Sequence, residues 1–374
     1  LLLWPVPINP VAWESPNSPP MEGIYQPNRY LRNIDIFSTE KGPEDIAFTG
    51  VMTKDYPYGM IYTGHHSGYI IGHQFRVVDL DGKDFELGGM FNFRTPNKIG
   101  WDEMSLKYEK SFDFYNTNGR PLGMKFANDN LIVADAVKGL IAINQEGVAT
   151  TLTTKSDSDG IPLGFTDDLD IARDGKIYFS DASSAYGIGE DRLDLMEHRP
   201  HGRLLVYDPA TKKTTTLMNN LYFANGVAVS PDDSFVLVNE TYMYRIHKYW
   251  LKGEKSGTSE IIIDNLPGFP DNISSNGQGI YWVALFTVRN NFIEQTADKP
   301  FLRKMALRLP ESLQPQPAPY AFVLGIDENG EVIYNLQYGA DDAYSPITSV
   351  KQFGNHLYFG SLTYEGFGRV KAPE

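Results

Sequence analysis

The chain has 374 residues, a formal net charge of −14 and no cysteine. Without cysteine there are no disulfides, no thiolate-held zinc and no thiol nucleophile, and the acidic balance argues against nucleic acid as a partner, which needs clustered Lys and Arg. Hydrophobic residues at 41% and aromatics at 13% suffice for a large core and lean towards β-structure.

The chain opens Leu1-Leu2-Leu3-Trp4 without a methionine and runs Pro-rich through Pro20. This reads either as the remnant of a signal or anchor helix, or as an apolar arm packing on the domain. The first reading puts the domain outside the cytoplasm, periplasmic or membrane-anchored and facing outward, where calcium is plentiful; a cytoplasmic location stays open. Residues 1–29 are expected to form the arm and 30–374 one folded unit. A loose repeat follows, in which an apolar run, a turn and a second apolar run recur. The pairs are 44–48 with 60–64, 122–126 with 131–135, 168–172 with 176–181, 225–229 with 235–240, 271–274 with 280–284, and 347–350 with 356–360. Asp174-Gly175, Pro231-Asp232-Asp233 and Asn276-Gly277 make the turns within three of them. Pairs recurring at roughly 40–50 residues predict an all-β fold, a six-bladed β-propeller. Residues 31–37 are expected to supply the outer strand of the last blade, since closing the ring removes exposed sheet edges.

Three stretches break the period: 92–118, 185–201 and 287–318. The last two carry helical spacing at 190–197 and 301–307, between the second and third strands of their blades. In a propeller that connection emerges on the face where the inner strands begin. The helices are therefore expected as lids over one mouth of the channel, with outer decoration as the alternative.

The inner strands begin at Glu44-Asp45, Asp167-Asp168, Asn225 and Asp271-Asn272, which a propeller gathers around its axis. A ring of oxygen donors with no His or Cys suits a hard divalent cation, Ca²⁺ first, better than zinc. Asp and Asn also serve turns before strands, which is the bland alternative. Crowded carboxylates raise one another's pKa, so Asp167 or Asp271 is a candidate general base. His65 and His66, in a turn of the first blade, are further catalytic candidates, weighed against a plain polar turn. His198 and His201 read as connector residues, and His73, His247 and His356 as structural. Tyr186, Phe223, Tyr242, Tyr244, Phe286 and Phe292 suggest an apolar substrate pocket. There is no Gly-x-Ser-x-Gly elbow and no phosphate-cradling loop.

On the runs Gly119-Arg120-Pro121-Leu122-Gly123, Asp168-Leu169-Asp170-Ile171, Ala224-Asn225-Gly226-Val227 and Pro267-Gly268-Phe269-Pro270-Asp271-Asn272, the chain resembles the strictosidine synthase-like, gluconolactonase and paraoxonase propellers. Pro300-Phe301-Leu302-Arg303-Lys304 is similar to the strictosidine synthase-like branch, and Trp4-Pro5-Val6-Pro7 to its bacterial members that follow an N-terminal membrane anchor. The resemblance implies a channel-mouth calcium on Glu44, Asn225, Asp271 and Asn272, with Asp167 where relatives carry Asn. It implies a second, structural calcium on Asp45, Asp168 and the backbone carbonyl of Met124. Leu122 and Ala136 stand where paraoxonases have their proton-relay histidines, so that dyad is absent. The implied activity is hydrolysis of small apolar or aromatic esters and lactones, with Ca²⁺ or another divalent metal polarising the carbonyl. Two alternatives remain: a calcium-stabilised propeller that binds a ligand or protein without catalysis, and a condensing enzyme like the plant synthase.

Overall fold

The computed structural model describes residues 5–49, 51, 52, 58–79, 91, 92 and 104–374. The expected apolar pairs form the inner and second strands of six four-stranded antiparallel blades. Blade 1 is Ile46–Thr49, Tyr58–Gly64, Tyr69–Asp79 and Met104–Asn116; blade 2 is Pro121–Ala127, Asn130–Asp135, Gly139–Ile143 and Ala149–Thr153. Blade 3 is Thr166–Ile171, Ile177–Asp181, Gly202–Asp208 and Lys213–Leu221; blade 4 is Ala224–Val229, Phe235–Glu240, Arg245–Trp250 and Ser259–Ile263. Blade 5 is Gly268–Ser275, Tyr281–Val288, Ala321–Ile326 and Val332–Tyr338. Blade 6 joins Ser349–Phe353, His356–Gly360 and Gly366–Lys371 to Asp35–Ser38 from the other end of the chain, so the ring closes as its N-terminal residues imply.

Burial explains the apolar runs. Ala224–Val229, Phe235–Glu240 and Ala321–Ile326 are buried at every residue, because both faces of an inner or middle strand pack on neighbouring blades. The outer strands Ala149–Thr153 and Ser259–Ile263 are largely exposed or half-buried and read as polar or mixed. The stretch 92–118 turns out to hold structure rather than to interrupt it. Residues 104–116 are the outer strand of blade 1, whose alternation is too polar to announce a strand. Residues 93–103 of that stretch, like Leu1–Trp4, lie outside the described residues.

Three helices occupy second-to-third strand connections: α1 (Asp191–Glu197) in blade 3, α2 (Asn291–Gln295) and α3 (Pro300–Ala306) in blade 5. The Asn290 side chain caps α2, accepting from Phe292 N at 2.9 Å, and Pro300 starts α3 where its missing N–H costs nothing. The N-terminal arm runs over these helices. Val11 N donates to Glu197 O and Trp13 N to Ala297 O, each at 3.1 Å. Arg303 donates to Val11 O, and Ile8 packs with Met196 and Ile293. Among the described residues no helix is long and apolar enough to cross a membrane.

Candidate functional site

The polar residues of the inner strands sit where pairing slips. Register breaks between Pro121 and Met124, Thr166 and Leu169, Ala224 and Val227, and Pro270 and Ile273. A bulge frees residues from the ladder and re-aims their side chains. Those freed here include Asp167, Asp168, Asn225, Asp271 and Asn272, while Glu44 and Asp45 directly precede the inner strand of blade 1. Blades approach closely at this level. A Cβ on Gly226 would overlap the Asn272–Ile273 backbone, and one on Gly360 would overlap the Glu44 carbonyl. That carbonyl also accepts from Thr348 Oγ1 at 3.1 Å and Ser349 Oγ at 2.6 Å, and Asn239 donates to the Asp271 carbonyl.

Glu44, Asp167, Asn225, Asp271 and Asn272 are each at most 5% exposed. Glu44 Oε2, Asp167 Oδ1, Asn225 Oδ1 and both polar side-chain atoms of Asn272 are buried without a hydrogen-bond partner. Five such atoms in one neighbourhood are costly unless something meets them. Burial pushes the Glu44 carboxyl up to about 7, with Arg120 opposing and Asp45 adding to the shift. Burial, then repulsion from Glu44 and Asp271, holds Asp167 well above the usual carboxylate range; burial and Glu44 do the same to Asp271. The residue that sequence reasoning missed is Arg120. It is 2% exposed, and its guanidinium stands 3.6 Å from Glu44 Oε2 and donates to Gly42 O at 3.1 Å. Three carboxylates against one guanidinium leave two negative charges, the charge of one divalent cation. An all-oxygen set of three carboxylates and two amides fits calcium by chemistry. As placed, no three His, Cys, Asp or Glu side chains among the described residues close to the grip of a bound ion.

One layer down, Asp45, Asp168 and Met124 also converge. Asp45 Oδ2 accepts from Met124 N at 2.8 Å, and Asp168 accepts from Leu169 N and Val227 N at the same distance. Lys351 stands among them, its Nζ 2.5 Å from Asp45 Oδ2 and 3.1 Å from Met124 O. Part of this donor set is thus already engaged by a cation of the chain itself.

His65 is fully buried, with Nε2 2.7 Å from Thr63 Oγ1 and Nδ1 3.0 Å from Glu40 O. Burial lowers its pKa to about 4, so it is neutral and committed to holding its loop. His66 is exposed and bonded to Leu362 O at 2.7 Å. His198 is buried and stacks on Trp13 with ring centroids 3.9 Å apart. A second missed residue is Asp194 on α1, an acid inside a short apolar stripe. It is 1% exposed, and burial pushes its carboxyl up to about 7, eased by Ser183 and His201. Tyr242, which donates to Asp191 O at 3.0 Å, stacks on Phe223 at 4.7 Å. Burial first, then Asp194, Asp191, Asp167 and Asp271, holds its phenol far above the usual range, so Tyr242 stands between α1 and the ring. Leu122 and Ala136 join Phe165, Phe223, Tyr242 and Phe269 in one apolar cluster. A separate cavity of about 440 Å³, lined by residues such as Asp159, Thr216 and Tyr249, opens on the outside of blades 3 and 4, far in the fold from this chemistry.

A family model described as strictosidine synthase matches residues 167–254, and one described as strictosidine synthase-like, N-terminal, matches residues 23–72. The "Adipocyte plasma membrane-associated protein" of Rattus norvegicus is 34% identical over 374 residues, covering 97% of this chain and 92% of that one. "Protein STRICTOSIDINE SYNTHASE-LIKE 6" of Arabidopsis thaliana is 40% identical over 260 residues, 69% of this chain and 68% of its own. These relatives are mammalian and plant proteins and do not single out the bacterial branch. Among solved structures, a gluconolactonase from Xanthomonas campestris aligns with TM-score 0.55 at 13% identity over 92% of this chain and 91% of its own. The calcium-binding regucalcin of Agrobacterium tumefaciens aligns with TM-score 0.50 at 11% identity over 90% and 93%. At those identities the likeness is one of fold. By its long match to the curated relatives and by its blade architecture, the chain belongs to the strictosidine synthase-like family of six-bladed β-propellers.

Proposed function

We propose that this chain is a calcium-dependent hydrolase of esters or lactones whose organic part is apolar or aromatic. The observation that carries the reading is the set of buried oxygens without a hydrogen-bond partner on Glu44, Asp167, Asn225 and Asn272, gathered with Asp271 at the inner-strand starts. Those five residues would hold Ca²⁺ or another divalent cation, which when bound supplies a Lewis acid for the substrate carbonyl and for the negative charge that grows on it. The fold shared with a gluconolactonase supports the same reaction class.

The chain's own residues divide the remaining work. Asp271 takes the proton of the attacking water, with the Asn225 amide fixing its orientation. Asp167 completes the ring and is the alternative base. Asp194, which keeps its proton up to about neutral pH, returns one to the leaving oxygen. The apolar cluster of Leu122, Phe165, Phe223, Tyr242 and Phe269 would back the part of the site that takes the apolar portion of the substrate, and Leu122 and Ala136 stand where a histidine relay would need histidines. Helices α1, α2 and α3, strapped by the arm, cover the mouth and limit water there. His65 and His66 take no part in this scheme. A membrane-associated, outward-facing location is proposed alongside, from a relative named for the plasma membrane.

The test is hydrolysis of phenyl acetate and a set of acyl lactones with Ca²⁺ present, after chelation, and in Asn225→Ala. Activity that vanishes on chelation, returns with Ca²⁺ and drops at least a hundredfold in the variant supports the reading. A folded, calcium-loaded chain that hydrolyses none of them moves the assignment to a ligand-binding propeller.

A further inference from the structure

We infer that Lys351 is a built-in replacement for a metal ion: its ammonium pairs with Asp45 and offsets one of the two charges of the buried Asp45–Asp168 layer of the channel, so that this layer takes no divalent cation. The inference goes beyond the proposed hydrolase and holds whether or not the ring above catalyses anything.

Asp45 is fully buried and Asp168 is 3% exposed, on inner-strand starts of blades 1 and 3. Between them Met124 on blade 2 offers a backbone carbonyl. Two carboxylates and a carbonyl held out of water from three different blades are what a small hard cation requires. Without a positive charge, the two acids would repel each other across a medium that screens poorly. Lys351 comes from the inner strand of blade 6, the blade that closes the ring, and meets Asp45 Oδ2 at 2.5 Å and the Met124 carbonyl at 3.1 Å. Its side chain is only 22% exposed. An ammonium has three donors and a compact charge, and it can occupy an ion's place where a flat guanidinium cannot.

The exchange has consequences. Asp45 and Asp168 also accept backbone N–H groups of the next blades, from Met124 and Val227, and so tie inner strands that do not otherwise pair. In this chain the cation beside that tie belongs to the chain itself and cannot be stripped by a chelator. Asp45 Oδ1 stays buried with no partner, an acceptor a metal would have used.

The experiment counts ions. Calcium bound per chain is measured by equilibrium dialysis with atomic emission, on the full chain, on Lys351→Ser and on Lys351→Ser with Asp45→Asn. Removing the ammonium should open the site, so Lys351→Ser is expected to bind one ion more than the unaltered chain, to gain thermal stability on calcium addition, and to lose both gains with Asp45→Asn. The same count on Asp45→Asn alone should equal that of the unaltered chain. A folded Lys351→Ser that binds no additional ion overturns the inference, as does an ion lost from the unaltered chain on Asp45→Asn. Should Lys351→Ser fold only with calcium present, that rescue supports it; should it not fold at all, the Asp45→Asn comparison decides. Because the increment is measured and not the total, failure of the mouth ring to bind calcium reads out separately, as a count of zero in the unaltered chain.

Discussion

Asn225 and Asn272 face each other across a contact that depends on one hydrogen atom. Gly226 lies against the backbone of Asn272 and Ile273, where a methyl group would overlap both. Gly226→Ala should push blades 4 and 5 apart at the ring, cost about 1–3 kcal/mol in denaturant unfolding, and weaken calcium binding. Unchanged stability would mean that the blades slide without strain. A second residue-scale effect concerns acid. Burial lowers His198 and His73 to about 3 and His65 to about 4, against 6.5 when exposed. Their contribution to stability is complete above pH 6.5, where folded and unfolded states are both neutral. It declines as pH falls from 6.5 towards 4 and 3, because the unfolded chain binds protons that the folded chain refuses, at roughly 1.4 kcal/mol per unit of pKa difference. His198 stacks on Trp13 and its two nitrogens have no partner, so His198→Phe should keep the fold and flatten the loss of stability between pH 6.5 and 4. An equally steep loss would assign acid sensitivity to other groups.

The helices are the elements least able to stand alone. α1 and α3 span 7 residues each and α2 spans 5, well below the length at which a helix persists in water. What holds them is the N-terminal arm. Trp13 N bonds to Ala297 O while its ring stacks on His198, and Arg289 reaches Pro16 O at 2.8 Å. Trp13→Ala should therefore cost roughly 1–2 kcal/mol for a half-buried aromatic. More tellingly, it should speed hydrogen exchange at 191–199 and 289–297 while the inner strands keep their protection. Uniform protection in the variant would show that the helices are held by the blades alone. The helical spacing at 190–197 and 301–307 was legible as local periodicity. The strap across them was not, because a Pro-rich stretch carries no period and its contacts are made hundreds of residues away.

For the whole molecule the decisive contact joins the two ends. Asp35–Ser38 pairs with Gly366–Lys371, and Phe37 stacks on Phe367 with centroids 5.1 Å apart. A chain starting at residue 39 loses that strand and the buried Leu31. It should be less stable by several kcal/mol, at about 1.5–3 kcal/mol per large apolar side chain, and should aggregate through the exposed edge of blade 6. A chain lacking only residues 1–17 keeps the closing strand, so it should lose little more than the roughly 1–2 kcal/mol expected for Trp13 and should not aggregate through blade 6. Equal unfolding and light scattering for the two truncations would refute this division.

The sequence by itself determined the blades. Runs of four to eight apolar residues set off by Asp-Gly, Pro-Asp and Asn-Gly turns need no long-range information to be read, because strand alternation and turn chemistry are local. It also supplied the oxygen donors at 44, 167, 225, 271 and 272, since equivalent positions of a repeat carry equivalent residues. Blade 1's outer strand at 104–116 escaped notice because its burial is partial and its pattern polar. Tertiary structure alone decided the charges that accompany the acids. Arg120 meets Glu44 across 76 positions of chain, and Lys351 reaches Asp45 across 306. Whether a buried carboxylate faces a guanidinium, an ammonium or a place for an ion depends on which blade lies beside it. That is set by closure of the ring, to which no local pattern of residues refers.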